Sequence, residues 1–568
     1  MKKTGAQIFW ESLINEGVKV VFGYPGGATL PIYDALVDCD IHHVLTRHEQ
    51  GAAHMADGYA RASGQVGVAL ATSGPGATNL VTGIATALMD SVPVVFITGQ
   101  VVSPLIGYDA FQETDVTGIT LPITKHNYLV TKAEDIAPTI RDAFFIARSG
   151  RPGPVLVDIT KDAQQTTIDW EFDDKAAHLP GYRPDFRPAK TDLDRAIEMI
   201  REAKKPLILA GHGILISDAS AEVLEFAERT QTPVASTLLG LSAFPGSHPL
   251  SLGMMGMHGE AWVNQAIQEA DLLLAFGMRF DDRVTGKISH FAPKSRKIHF
   301  EIDPSEVNKN VQVDLALVGD LKETLQKILP ELKPSDHSAW LEQVRVLKGD
   351  CAVRDINNLP DNGHLYAAHV INALWKVTKG DAIIASDVGQ NQMWAAQYYR
   401  HDHPNTSITS GGLGTMGFGL PSGIGAKFAK PDKEVWVTVG DGGIQMTQAE
   451  LSTIAQEDIK INIAILNNGY LGMVRQWQEF FYDKRYSATP MKGPDFLKIA
   501  EAHGLKGIRV TRRDEVEDAI QEARKSPGTV LIDFKVEKED SVYPMVPSGA
   551  AIDAMIRRPM PENIIQES

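Results

Sequence analysis

Short apolar, β-branched runs recur along almost the whole chain, and longer amphipathic stretches separate them. Residues 18–22, 66–71, 92–98, 155–159, 206–210, 272–276, 298–302, 382–386, 435–439 and 461–466 are such runs. A strand that is apolar on both sides needs a cover on both sides, and helices returning between parallel strands supply it. The pattern predicts an α/β fold of doubly wound, mainly parallel sheets.

With 568 residues the chain exceeds what one core can organise. Two turn-rich stretches divide it into three parts of similar size: 164–191, which lacks any period, and 332–364, which carries Pro334, Ser335 and Asp336, one helix-like patch, and then the turn-rich 357–363. The expected domains are 1–165, 190–333 and 364–540, with a Pro- and Met-rich tail, 541–568, read as a lid or a frayed end. Parts one and three share a strand–glycine turn–helix unit, at 66–88 and 435–455, which favours two related domains flanking an inserted one.

The formal net charge of −16 makes the chain a poor partner for nucleic acid, whose affinity rests on Lys and Arg. Two cysteines, Cys39 and Cys351, form neither a disulfide framework nor a CxxC metal site and suit a reducing cytoplasm. No run of eighteen apolar residues exists, and Glu11 and Glu16 interrupt any signal-like core, so neither a membrane span nor secretion is expected.

Gly440, Asp441 and Gly442 end one apolar run, and Asn467 and Asn468 end the next, with a crossover helix expected over 446–456. Asp441 and Asn468 are twenty-seven residues apart. This unit sets a carboxylate beside an amide carbonyl at the carboxyl ends of neighbouring parallel strands, where such sheets bind ligands. Two hard oxygens that phosphate oxygens can complete to an octahedron describe a magnesium–diphosphate site. Gly440 and Gly442 let the backbone come close to the phosphates.

The middle part carries glycine turns after its strands: Gly211-His212-Gly213, Met257-His258-Gly259, and 276–286 (FGMRFDDRVTG), which holds Arg279, Asp282 and Arg283. Acidic residues follow at later strand ends: Glu301, Asp303 and Asp320. Glycine turns for a pyrophosphate and carboxylates for ribose are what a dinucleotide needs. Residues 412–417 (GLGTMG) match G-x-G-x-x-G, but the preceding 405–410 is polar and a weak strand. A zinc-protease reading of His48-Glu49 fails, because the next histidine is His54.

The GDG…NN pair resembles the diphosphate motif of thiamine diphosphate enzymes. Residues 47–53 (RHEQGAA) look like that family's segment bearing a glutamate for the pyrimidine ring, and Glu49 falls on it. The middle part, above all RFDDRVTG, resembles the FAD domain of the anabolic acetolactate synthase family. Further matches are 24–27 (YPGG), 72–80 (TSGPGATNL), 110–114 (AFQET), 150–155 (GRPGPV), 389–396 (GQNQMWAA) and 472–477 (GMVRQW), so the likeness covers nearly the whole chain.

The resemblance implies roles. Glu49 would hydrogen-bond N1′ of the aminopyrimidine and help remove the C2 proton, in an apolar cleft that raises its pKa. Gly389, Gln390, Asn391 and Met473 would approach thiamine diphosphate, and Met416 would force its V shape. Asp441, Asn468 and the Tyr470 carbonyl would hold Mg²⁺. Arg151, the 258–283 segment, Glu301 and Asp320 would hold FAD. Gly27, Phe111, Gln112 and Lys161 would line the substrate entrance, and Trp477 would favour 2-oxobutanoate as second substrate. The implied reaction decarboxylates pyruvate and ligates the two-carbon unit to a second 2-oxo acid, the first shared step of valine, leucine and isoleucine synthesis, with FAD idle. A homodimer or homotetramer with a shared active site, and a small regulatory subunit, are also implied. The alternatives are a pyruvate oxidase-like flavoenzyme, a simple decarboxylase, and a silent cofactor-binding protein. The sequence departs from the family at Val102, His212, Ile444 and Thr447, and none of these is a reacting group.

Overall fold

A computed structural model describes residues 1–173, 177, 179–359 and 361–559. It contains three six-stranded sheets, parallel at every strand pair, and one small antiparallel pair, Lys2–Thr4 with Thr167–Asp169. The fold is α/β. Each of the ten apolar runs falls within two residues of a strand, and Pro206–Ala210 and Leu272–Phe276 coincide with theirs; the other ten strands among the described residues match none of the runs.

In spatial order the first sheet runs His42–Leu45, Val20–Gly23, Gly67–Ala71, Val94–Gln100, Val155–Thr160, His126–Val130. The third runs Ser407–Thr409, Ile383–Ser386, Val435–Gly440, Asn462–Asn467, Val530–Lys535, Lys506–Val510. Ranked along the chain, both follow the order 2-1-3-4-6-5. The middle sheet runs Ser251–Met254, Val234–Ser236, Pro206–Ala210, Leu272–Phe276, Arg296–Glu301, Leu315–Val318, the order 3-2-1-4-5-6 of dinucleotide-binding folds. Two like sheets therefore flank an unlike one.

The outer sheets share a core. Helix Glu49–Ser63 crosses helix Gly419–Ala429 at backbone contact distance: a Cβ on Gly58 would lie 2.7 Å from the Ser422 Cα, and one on Gly425 2.7 Å from the Met55 carbonyl carbon. Met55, Ala52, Phe418 and Ile424 pack there with no exposed surface.

The first turn-rich stretch contains more structure than its composition suggests, and the helix-like patch of the second is a helix. The first includes strand Thr167–Asp169 and the start of helix Lys190–Glu202. The second includes helix Ser338–Arg354, whose Trp340 and Val344 are buried against Trp262. The crossover helix expected over 446–456 begins earlier, as Asp441–Thr447, and resumes as Leu451–Gln456. As far as residue 559 the tail is not frayed. Val542, Met545, Val546 and Ile552 are buried, the Val546 amide donates to the Met257 carbonyl at 2.8 Å, and the Lys287 amide donates to that of Ala550 at 2.9 Å. Residues 560–568 lie outside the described residues. Among the described residues no helix is long and apolar enough to cross a membrane.

Candidate active site and cofactor cleft

In the first and third sheets, strand order reverses between the first and third strands of each, and the loops leaving those strands form a crevice. In the first sheet these loops are 24–28 and 72–76. The Thr72 hydroxyl accepts the Ala28 amide at 3.3 Å, and a Cβ on Gly74 would meet the Gln112 Cα at 3.0 Å. Glu49 begins its helix beside them, 9% exposed, and accepts a hydrogen bond from the Asn79 side chain at 2.9 Å. Gly27, Glu49 and Gln112 are thus gathered at one sheet edge. Lys161 opens a short helix after the next strand but one, and Phe111 is 88% exposed.

In the third sheet the matching loops are 387–390 and 440–442. Asp441 starts a helix directly after its strand and is 1% exposed, yet neither carboxylate oxygen has a hydrogen-bond partner. Burial pushes its pKa up to about 6, opposed by the backbone N–H groups of residues 441 and 468, which face the carboxylate without reaching hydrogen-bond geometry. A buried carboxylate with two bare oxygens costs several kcal/mol unless a cation or donor meets it. Asn468 stands at the end of the neighbouring strand. Its Oδ1 accepts the Tyr470 amide at 3.1 Å and its Nδ2 donates to Gln390 Oε1 at 3.1 Å. Gln390 donates on to Gln476 Oε1 at 2.9 Å, and Gln476 donates to the Val542 carbonyl at 3.1 Å. This amide chain fixes Asn468 and leaves Asp441 free of competing donors. The chemistry fits a hard divalent cation: one carboxylate, one amide and a nearby backbone carbonyl. Among the described residues no group of three or more His, Cys, Asp or Glu is placed to hold a metal ion.

Asn391 turns inward and donates to the Asp387 and Thr438 carbonyls at 2.8 and 3.2 Å. A Cβ at Gly440 would meet only Asn391 Oδ1, at 3.6 Å, whereas one at Gly442 would lie 2.9 Å from both Met416 Cε and Leu471 Cδ2. Met416 therefore stands over the turn that follows Asp441. Asp387, missed in the sequence because it sits in no glycine motif, accepts the Gly417 and Gly419 amides at 3.0 Å each. Burial raises its pKa to about 6. Thr447, one of the departures, donates its hydroxyl to the Gly417 carbonyl at 3.0 Å and braces the same loop.

A cavity of about 980 Å³ runs from the middle sheet to this crevice. At the middle sheet's switch point the turns 211–213 and 277–279 press together: a Cβ on Gly213 would lie 2.6 Å from the Gly277 Cα, and Gly277 has φ +55°. Only glycine fits that approach with that backbone. Arg151, His212, Gly213, Met257, His258, Arg279, Asp282, Arg283, Glu301 and Asp320 line the cavity, and Gly389, Met416, Met473 and Trp477 line its far end. Met473 and Trp477 share one face of helix Gly472–Phe481, while Arg475 and Gln476 are buried on the other. Burial lowers the His212 and His258 pKa values to about 4, so both imidazoles are neutral at pH 7.

Three expected residues stand back from the wall. Gly211 and Gly259 shape tight turns, and Asp303 is engaged by Arg151 at 3.3 Å and by the Ser305 amide at 2.9 Å. Asp281, not Asp282, caps its helix by accepting the Arg283 and Val284 amides, and it lines the cavity too. The first turn-rich stretch supplies Pro184, Asp185, Phe186 and Arg187 to the wall. Aperiodic sequence gave no sign of that. Gly319, which faces the Phe186 carbonyl at φ +156°, was legible only as part of a Gly-Asp pair.

Profiles for the N-terminal, central and C-terminal domains of thiamine pyrophosphate enzymes match residues 3–119, 193–328 and 387–534. The acetolactate synthase large subunit of Corynebacterium glutamicum is 49% identical over 97% of this chain and 89% of its own length. The chain belongs to the acetolactate synthase large-subunit family of thiamine pyrophosphate enzymes. The family member of Haemophilus influenzae is 45% identical over 98% of both chains. A probable acetolactate synthase large subunit of Methanocaldococcus jannaschii is 47% identical over 97% of this chain and 95% of its own. Within this family the Asp441–Asn468 end is the part of the chain that the C-terminal thiamine pyrophosphate-binding profile spans.

Proposed function

We propose that this chain is the catalytic subunit of an acetolactate synthase that joins pyruvate to pyruvate or to 2-oxobutanoate, with thiamine diphosphate, Mg²⁺ and FAD bound. The observation that carries the reading is the buried, unpartnered Asp441 carboxylate beside Asn468, in the turn over which Met416 of the dinucleotide-sized cleft stands. Thiamine diphosphate supplies a carbon nucleophile that adds to a ketone and stores the electrons released when CO₂ leaves. Every other task falls to this chain's own groups.

Asp441, Asn468 and the Tyr470 carbonyl hold Mg²⁺, and Gly389, Gln390, Gly440 and Gly442 let the diphosphate approach. Glu49 holds a proton at N1′ of the pyrimidine, with Asn79 fixing its carboxylate. Met416 would lie against the cofactor from the loop 410–417. Gly27, Phe111, Gln112 and Lys161 form the entrance for the 2-oxo acid, and Trp477 selects the second one. Arg151, Arg279, Asp282, Arg283, Glu301 and Asp320 bind FAD, which takes no electrons in the overall reaction. Units 1–165, 190–333 and 364–540 are the pyrimidine, FAD and diphosphate domains.

The Glu49 edge and the Asp441 edge are completed by a second copy, in a homodimer or homotetramer. Large apolar side chains exposed beside both edges support this, among them Phe111, Tyr108, Met446 and Val474. The relatives' names, as large subunits, support a small-subunit partner. A cytoplasmic location fits a sequence of 568 residues with only two cysteines.

The test incubates the protein with pyruvate, thiamine diphosphate, Mg²⁺ and FAD and measures acetolactate, CO₂ and oxygen uptake together. One CO₂ per acetolactate without oxygen uptake is expected. Oxygen uptake matching CO₂, with no acetolactate, would make the chain an oxidase instead.

A further inference from the structure

The loop 410–417 carries Met416 and forms one wall of the cleft. It hangs from a helix of the first unit, Val81–Asp90, at three points. Asp90, the last residue of that helix, accepts the Gly411 amide at 3.0 Å with one carboxylate oxygen and the Gly412 amide at 2.6 Å with the other. One turn earlier, the Thr86 hydroxyl lies 2.7 Å from that of Thr415. The Asp90 carbonyl is 3.0 Å from Nδ1 of His212, in the first glycine turn of the middle unit. One residue thus joins all three sheets' units where the two ends of the cleft meet.

Helix stability does not explain this residue. A carboxylate at a helix C-terminus faces the negative end of the dipole, and Asp90 is only 2% exposed. Its counter-charge is Arg61, whose guanidinium donates to Asp90 at 2.7 Å and to Asp57 at 2.6 Å. Arg61 lies on the helix that Glu49 begins, and it stacks 5.5 Å from the Phe418 ring, just past the loop. Buried ion groups of this kind stabilise little over apolar packing, but they fix one arrangement of the elements that make them. The arrangement fixed here is the position of the loop: a Cβ on Gly412 would lie 2.8 Å from an Asp90 oxygen and 2.9 Å from the Met89 carbonyl.

We propose that Asp90 is a positioning residue for the reaction. Through the Gly411 and Gly412 amides it holds Met416 over the turn after Asp441, and through the same loop and His212 it sets the spacing between the flavin end and the diphosphate end of the cleft. The proposal rests on the functional reading above, and its test separates the two.

The full-length protein is compared with Asp90→Asn, Gly412→Ala, Thr86→Val and Thr86→Ser. Three readouts are taken: hydrogen exchange of the peptide containing 411 and 412, fluorescence titration of the flavin-free protein with FAD, and kcat and KM for pyruvate. Asp90→Asn and Gly412→Ala are expected to exchange faster within 410–417, to bind FAD about tenfold more weakly, and to lose about 10- to 100-fold in kcat, with KM changed less than about threefold, as for a displaced positioning element. Thr86→Val should show a smaller effect of the same kind, and Thr86→Ser, which keeps the hydroxyl, should restore wild-type values. If Asp90→Asn fails to fold, Gly412→Ala and Thr86→Val decide. Wild-type exchange, FAD affinity and kcat in those two would overturn the proposal, as would equal losses in Thr86→Val and Thr86→Ser. If the unmodified protein makes no acetolactate, the functional reading fails, while exchange and FAD titration still judge the role of Asp90.

Discussion

Replacing Gly425 by Ala tests whether the crossing of helices Glu49–Ser63 and Gly419–Ala429 sets the relation between the two outer sheets. The added Cβ would overlap the Met55 carbonyl oxygen and lie 2.7 Å from its carbon and 2.9 Å from the Tyr59 amide nitrogen. These are backbone atoms, so no rotamer change relieves the clash. Restoring a carbon contact of about 3.5–4.0 Å moves the helices apart by ~1 Å. A gap of that size forfeits a quarter to a half of the contact energy of the side chains between them. Met55, Phe418 and Ile424 are fully buried there, and each contributes about 1.5–3 kcal/mol through burial. The expected loss is about 2–4 kcal/mol, near the upper range for overpacked cores.

The control is Gly349→Ala, inside helix Ser338–Arg354, where a Cβ meets nothing within 4 Å. There the same change should stabilise by about 0.5–1 kcal/mol, by removing glycine's excess freedom in the unfolded chain. Urea unfolding followed by tryptophan fluorescence measures both. Because one helix carries Glu49 and the other follows the Met416 loop, Gly425→Ala should also lower kcat although no reacting group changes. Equal stability of the two variants would refute the claim that the crossing distance is fixed by backbone contact.

Glu49→Gln should reduce acetolactate formation by about 10²- to 10⁴-fold with an unchanged circular dichroism spectrum; near-normal turnover would remove Glu49 from its proposed role. Asp441→Ala should abolish Mg²⁺-dependent binding of thiamine diphosphate in calorimetry, and retained binding would move the metal elsewhere. Gly442→Ala places a methyl 2.9 Å from Met416 Cε. It should weaken thiamine diphosphate binding at least tenfold while FAD titration stays normal, and a parallel loss of both would contradict the separation of the two ends. Asp158, 1% exposed, has its pKa pushed up to about 7 by burial, against hydrogen bonds from Thr98 and Gln100. The stability this adds is complete below about pH 4, where the group is protonated folded or unfolded, and is lost as pH rises through 7. Relative to Asp158→Asn, the unmodified protein should therefore lose up to about 4 kcal/mol between pH 4 and 8. A flat difference across that range would show that Asp158 is not buried as described.

Half of the strands were legible because parallel strands buried on both faces leave continuous apolar runs; edge strands such as Ser251–Met254, Ser407–Thr409 and Lys506–Val510 leave none. Asp441 and Asn468 were legible for a related reason: a strand end plus a glycine turn fixes where a side chain emerges. Asp90, Asp387 and Phe186 were not. Asp90 ends an ordinary helix, and the two loop amides it holds lie more than three hundred residues away in sequence. Asp387 accepts amides of residues 417 and 419, a pairing no local spacing encodes. Phe186 belongs to a stretch whose polar, turn-rich composition looks the same whether it floats free or walls a cleft. Composition left the tail open between a lid and a frayed end, since Pro- and Met-rich sequence does not show which of its apolar residues, here Val542, Met545, Val546 and Ile552, are buried against the rest of the chain.

The polar groups around the crevice divide by whether their hydrogen bonds are already made. Asn391, Gln390, Gln476 and Asn468 spend their amides on one another and on backbone carbonyls. Asp387 and Asp90 spend their carboxylates on loop amides. These groups are stable without a ligand and can only hold geometry. Asp441 differs: it is as deeply buried, but its oxygens are bare. In a fold where nearby carboxylates find donors, leaving this one unpaired costs stability that only a ligand can return. The unpaired group should therefore be where binding energy is concentrated, and the satisfied groups should set where the ligand must sit. It follows that Asp441→Asn, which removes the buried charge but keeps the shape, should stabilise the ligand-free protein while destroying its stabilisation by Mg²⁺ with thiamine diphosphate. Asp387→Asn should do the reverse in part, loosening the free protein and leaving a weakened response to the same ligands. Thermal unfolding of both variants, with and without the ligands, separates the two classes. If Asp441→Asn weakens the free protein as much as Asp387→Asn does, the division between holding and binding groups is wrong.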